Sequence, residues 1–220
     1  MLLATTATHA QAQLGLRAGL TVTTISDGVA ASSAVAGDGE EPWKPGLVAG
    51  IASSFALSQV VAIAPELTYS QRGYRLDGPE NIDIRYNYLE LPVLGRLLFG
   101  QNLLKGYVNL GPTVSYLLSG RRDVAGTTTG AGTSNMEYRV SDSGFSRFEL
   151  GGAVGGGIQL NTGAGSFLID LRYTQGFTDF RKEGFDEPYL EATPEEYKNR
   201  GVSVSLIYLI PGLGLGVTPY

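Results

Sequence analysis

Gln13-Leu14-Gly15-Leu16-Arg17-Ala18-Gly19-Leu20-Thr21-Val22 is the stretch that decides the fold. Leu14, Leu16, Ala18, Leu20 and Val22 occupy every second position, and Gln13, Gly15, Arg17, Gly19 and Thr21 lie between them. Successive side chains of a strand point to opposite faces, so the run reads as a strand with one apolar face and one small, polar face. The single charge, Arg17, falls on the small face.

The same period of two recurs in seven further segments. Leu47, Ala49, Ile51, Phe55 and Leu57 share a face in the second, Val61, Ile63, Pro65, Leu67 and Tyr69 in the third, Leu89, Leu91, Val93 and Leu97 in the fourth. The others run from Val108 to Leu118, Phe148 to Leu160, Phe167 to Phe177 and Val202 to Tyr208. Three charge-free stretches, 45–65, 150–169 and 201–220, have the length of a membrane helix. Their content argues otherwise: serines and Gln59 in the first, seven glycines in the second, Pro211 in the third. A spanning helix needs about 20 predominantly apolar residues.

Composition agrees. The 220 residues include 31 Gly, 12 Tyr and 8 Phe, with only 17% charged. Glycine costs about 1 kcal/mol against alanine inside a helix, whereas it suits strands whose backbones approach closely. There is no cysteine, which removes disulfides and thiolate chemistry, and the net charge of −5 argues against nucleic-acid binding. The only histidine is His9. It lies in a small, apolar start that ends in an A-x-A site, Ala10-Gln11-Ala12. Residues 1–12 are therefore expected to be a signal-peptide remnant, and 13–220 the folded part.

Connections alternate in length. Short turns are expected near Ser58-Gln59, Gly100 to Leu104 and Asn161 to Gly165, and longer loops over 26–44, 77–83, 119–144 and 181–198. Short turns at one end and long loops at the other are the pattern of an outer-membrane barrel. The expected fold is all-β: an eight-stranded antiparallel up-and-down transmembrane β-barrel, its strands within 13–209 and a C-terminal tail at 210–220. The alternative is a soluble lipocalin-like barrel with its apolar face inward. The glycines, alanines and serines share their face with the charges, which suits a narrow lumen better than a solvated exterior.

Five runs in order carry a family resemblance. They are Ala64 to Gly73 (APELTYSQRG), Tyr88 to Leu94 (YLELPVL), Tyr107 to Pro112 (YVNLGP), the glycines of 151–157, and Leu171 to Phe177 (LRYTQGF). Together they resemble the PorT-type outer membrane protein β-barrel domain family over most of the chain. The resemblance implies a cell outer membrane location, usually eight strands, and no single established activity. The chain departs from that pattern at Ile210 to Tyr220, beyond the aromatic Tyr208 where such a strand usually ends.

The sharpest constellation is a lumen charge network. Glu66, Glu90, Glu149 and Asp170 are expected to face Arg17, Arg72, Arg96, Arg147 and Arg172 inside the barrel. Buried charges are tolerated when paired, so a structural plug is the leading reading and a narrow channel or small-solute path the alternative. Without a histidine in the folded part, the His-based chemistry of enzymatic barrels has no base, and no catalytic residue, cofactor or metal site is expected. The glycines of 151–157 lie inside a strand pattern, not in a phosphate loop. Trp43, Tyr69, Tyr74, Tyr86, Tyr88, Tyr107, Phe145, Tyr173, Phe177, Phe180 and Tyr208 are expected to form interfacial girdles. The expected partners are outer-membrane lipid and a protein contacted through loops 119–144 and 181–198, with the barrel itself a monomer. A role as a secretion or assembly-machinery partner rests on family analogy alone.

Overall fold

The computed structural model describes residues 12–25, 43–76, 80–101, 103–126, 134–136, 147–178 and 198–210. Residues 1–11 of the expected signal remnant, the expected tail from 211 and most of the first, third and fourth long loops lie outside the described residues, while Ala12 and Ile210 belong to strands.

Nine strands form one antiparallel sheet: β1 (Ala12–Ile25), β2 (Lys44–Ala56), β3 (Val61–Leu76), β4 (Glu80–Gln101), β5 (Leu104–Gly126), β6 (Ser134–Met136), β7 (Phe148–Thr162), β8 (Gly165–Gly176) and β9 (Asn199–Ile210). Each long strand pairs with its neighbours in sequence, β5 pairs with β7, and β1 pairs with β9. Eight strands thus close into an up-and-down barrel, which leaves no free sheet edge around the wall. The three residues of β6 add to β5 outside this ring.

Alternation sets the faces as the sequence predicts. Leu16, Leu47, Leu67, Leu110, Val154 and Leu206 point outward and are exposed, while Arg17, Thr68, Asn109, Ala153 and Ser205 on the same strands are buried. The soluble lipocalin-like alternative, with leucines inside, is thereby set aside. On β4 the outward face carries Leu89 level with Tyr69 and Tyr116, and Phe99 lies ten residues further toward the short turns. At roughly 3.3 Å per residue and a tilt near 40°, that interval is about 25 Å tall, the height of an outer-membrane apolar band.

Outward aromatics cover glycines in this wall. A Cβ on Gly106 would meet the Phe99 ring at 2.1 Å, so ring and glycine fit only together. Inside, a Cβ on Gly157 would lie 1.9 Å from the Ile169 carbonyl oxygen and 2.7 Å from the Tyr107 hydroxyl. The glycine run of β7 therefore opens room for the lumen side chains opposite it.

The structure differs from the sequence reading at the long-loop end. β4 begins at Glu80 and β5 continues to Gly126, so the expected loop at 77–83 ends, and that at 119–144 begins, as strand. A register shift at Asn87/Tyr88 leaves both Leu118 and Ser119 outside and restores alternation one residue later. A bulge of this kind resets the period, which is why the pattern read from sequence stops at Leu118. Beyond Tyr116, its last ladder partner on β7 being Phe148, β5 runs ten more residues paired to β4. The girdle also needs correction. Tyr74, Tyr86, Tyr88 and Tyr107 are buried in the lumen; Trp43, Tyr69, Tyr173 and Phe177 are exposed on the outer wall and Tyr208 is half-buried there, and Phe145 and Phe180 lie outside the described residues.

Candidate functional site

An eight-stranded barrel is just wide enough for its interior side chains to fill it. Here they do so with two layers of charge. The layer nearer the short turns is built on β1, β3, β4, β5 and β8. Arg17 Nη1 lies 3.2 Å from Glu66 Oε2 and 3.0 Å from Asp170 Oδ1. Arg172 grips Glu66 with both terminal nitrogens, at 2.8 and 2.9 Å, and reaches Asp170 Oδ1 at 3.0 Å. The other oxygen of Asp170 accepts from the Tyr107 hydroxyl and the Asn109 amide, each at 3.0 Å. Arg96 closes the layer: its Nε donates to Asn109 Oδ1 at 3.0 Å, and its guanidinium sits 4.6 Å from the Tyr107 ring centroid.

The second layer lies toward the long loops. Arg72 donates to Glu90 at 2.8 Å and to Glu149 at 2.8 Å, stacks 4.9 Å from the Tyr88 ring and approaches Ser115 Oγ at 3.4 Å. Asn199 donates to the second oxygen of Glu149. At the rim Lys44 pairs with Asp83 and donates to the Ile84 carbonyl at 3.1 Å.

Eight of the nine residues expected in the network meet there: Arg17, Glu66, Arg72, Glu90, Arg96, Glu149, Asp170 and Arg172 are all buried. Arg147 is not among them. It is exposed and donates to the Tyr116 hydroxyl on the outer wall at 3.1 Å. It precedes the first residue of β7, Phe148, so the strand period that places Glu149 inside does not extend back to it.

Sequence reasoning did not place Lys44, Asn109, Ser115 or Asn199 in the network, and it assigned Tyr88 and Tyr107 to the girdle instead. Their signal was parity: Tyr107, Asn109 and Ser115 occupy the same face of β5, and Tyr88 lies two residues from Glu90 on β4. Among the described residues, no three acidic or histidine side chains converge as a metal site. No helix there is long and apolar enough to cross a membrane. Fixed ion pairs in a filled lumen can hold the wall in one register and obstruct passage.

A family model described as "Outer membrane protein beta-barrel domain" matches residues 7–182. No curated protein matches the chain. Solved structures similar to it include Neisserial surface protein A, at 14% identity over 90% of this chain and 96% of that one with a TM-score of 0.46. Ail, the attachment invasion locus protein of Yersinia pestis, solved in complex with the heparin analogue sucrose octasulfate, is 12% identical over 91% and 99% with a TM-score of 0.44. AlkL in lipid bilayers is 16% identical over 97% of each chain with a TM-score of 0.39.

Proposed function

The chain belongs to the outer membrane protein β-barrel domain family and so resides in the outer membrane, and on that premise we propose that it is a non-enzymatic structural and interaction barrel: a rigid anchor, plugged through its centre, that displays the loops of one end. The observation that carries this reading is the density of paired charge across the lumen. Arg17, Glu66, Asp170 and Arg172 are 3%, 2%, 0% and 4% exposed and joined to one another by ion pairs. A solute would have to part these pairs, and removing one partner from a buried pair costs about 3–5 kcal/mol.

Display is supported by the continuation of β3, β4 and β5 past the rim. Their ladder extends to Leu76, Glu80 and Gly126, which gives the adjoining loops a stiff base. The loops over 119–144 and 181–198 are the proposed contact surfaces for a protein partner, and PorT-type kinship rests on the five sequence runs that resemble that family. The test is planar-bilayer conductance of the refolded chain. The plugged barrel is expected to give no stable open level; a reproducible single-channel step would overturn the reading in favour of a narrow channel.

A further inference from the structure

Between the two charge layers lies a small polar chamber of about 20 Å3. Arg17 and Arg172 line it from the layer nearer the short turns, Arg72 and Glu90 from the other, and hydroxyl residues complete its wall, Thr68 and Thr113 among them. That volume has room for one or two water-sized occupants.

Three features of this chamber select the chemistry of its occupant. The Nε–H groups of Arg17 and Arg172 are buried and have no hydrogen-bond acceptor, although the terminal nitrogens of both side chains are engaged. A buried donor without an acceptor costs about 1–3 kcal/mol, more when it is charged, so an acceptor for these donors is favoured. Thr68 and Thr113 add hydroxyl-bearing side chains to the same wall. The layer beside the short turns also carries an unequal count: Arg17, Arg96 and Arg172 against Glu66 and Asp170, while Arg72 faces both Glu90 and Glu149 in the other. The surplus cation is Arg96, whose own partners are the neutral Asn109 and Tyr107. Glu90 is the carboxylate that lines the chamber, and Arg72 holds it. Arg96 does not line the chamber; the charges that do are Arg17, Arg72 and Arg172 against Glu90, and unused donors among three arginines favour a negatively charged acceptor.

We infer that the chamber is a binding site for one chloride-sized monovalent anion, held by the Nε–H groups of Arg17 and Arg172 with hydroxyl support from Thr68 and Thr113. The anion accepts from the two unused Nε–H groups and locks Arg17 and Arg172 in place. It is a structural ligand of the barrel, and it goes beyond the plug reading without depending on it, because neither conductance nor partner binding is its readout.

The probe is bromide. Crystals of the full chain grown or soaked in sodium bromide are expected to show an anomalous peak within hydrogen-bond reach of Arg17 Nε and Arg172 Nε. Thermal unfolding in detergent is expected to rise saturably with bromide or chloride, by about 3 °C at a concentration tenfold above the dissociation constant, against sulfate at matched ionic strength. In the isosteric T68V/T113V protein the halide midpoint is expected to move to at least tenfold higher concentration. Water density without an anomalous signal overturns the site in the wild-type chain, whatever the variant does. So does a rise that sulfate reproduces, or a halide dependence that a folded T68V/T113V protein keeps unchanged.

Discussion

Glu66→Ala is the perturbation that tests the lumen most directly. Glu66 receives Arg17 Nη1 at 3.2 Å and both terminal nitrogens of Arg172 at 2.8 and 2.9 Å, with side-chain exposures of 2% and 4% for the two arginines. Its removal leaves Arg17 and Arg172 sharing Asp170 as their one carboxylate. Neither guanidinium can turn to water from that depth. Three charge-assisted hydrogen bonds at about 1.5 kcal/mol each, the low end for such bonds, and the cost of stranding a buried charge agree on a loss near 4 kcal/mol. With a urea slope of about 2 kcal/mol per molar, the unfolding midpoint falls by about 2 M. The assay is urea unfolding in phospholipid vesicles followed by the fluorescence of Trp43, the single tryptophan, which sits exposed at the rim bridged to Tyr74. Arg147→Ala, an exposed charge removed from the outer wall, is the control and is expected within about 0.5 kcal/mol of wild type. A second removal, Arg172→Ala, added to Glu66→Ala should cost less than it does alone, with a coupling of about 1–3 kcal/mol. A Glu66→Ala midpoint within 0.5 M of wild type (about 1 kcal/mol at that slope), or strict additivity with Arg172→Ala, would show that the ion pairs do not hold the barrel together.

Three further outcomes follow from the wall. Gly157→Ala places a methyl against the Ile169 carbonyl and the Tyr107 hydroxyl, so a loss of about 1–3 kcal/mol is expected, whereas Gly163→Ala, with nothing within 4 Å, is expected to be neutral; equal midpoints would refute the packing argument. Leu110→Arg, on the outward face near the middle of the apolar band, should cost about 2–4 kcal/mol in bilayers, and Leu103→Arg in the β4–β5 turn about 0–1 kcal/mol; a cost without depth dependence would deny the lipid contact. Phe99→Ala uncovers Gly106 and should destabilise by about 1 kcal/mol, while Phe99→Ala paired with Gly106→Ala should recover part of it, since the added methyl occupies the space the ring left. Chevron or equilibrium unfolding in vesicles reads all three.

Much of this architecture was legible because strand parity is a local property. Whether Leu16 faces lipid and Arg17 the lumen follows from two adjacent residues and the pleat, and the same rule placed the apolar faces of all eight barrel strands correctly. Strand ends were less legible. β5 continues past Leu118 through a bulge, and a bulge is a relation between two strands that neither strand states alone. The aromatic residues show the same limit. Tyr88 and Tyr107 have the composition of a girdle, yet parity turns them inward, where they stack on Arg72 and Arg96.

The sequence by itself determined the period, the two faces, the alternation of short and long connections, and the list of charges available to a lumen. It could not say which of them meet. Arg17 and Asp170 are 153 positions apart, and Arg172 and Glu66 are 106 apart. Only closure of the barrel through β1 and β9, with the register of every ladder between, brings those groups to one height. The same closure sorts the charges into two layers and leaves a chamber between them, while Arg147, one residue short of its strand, stays outside. Parity is carried by neighbouring residues, whereas height in the lumen is the accumulated register of the whole ring.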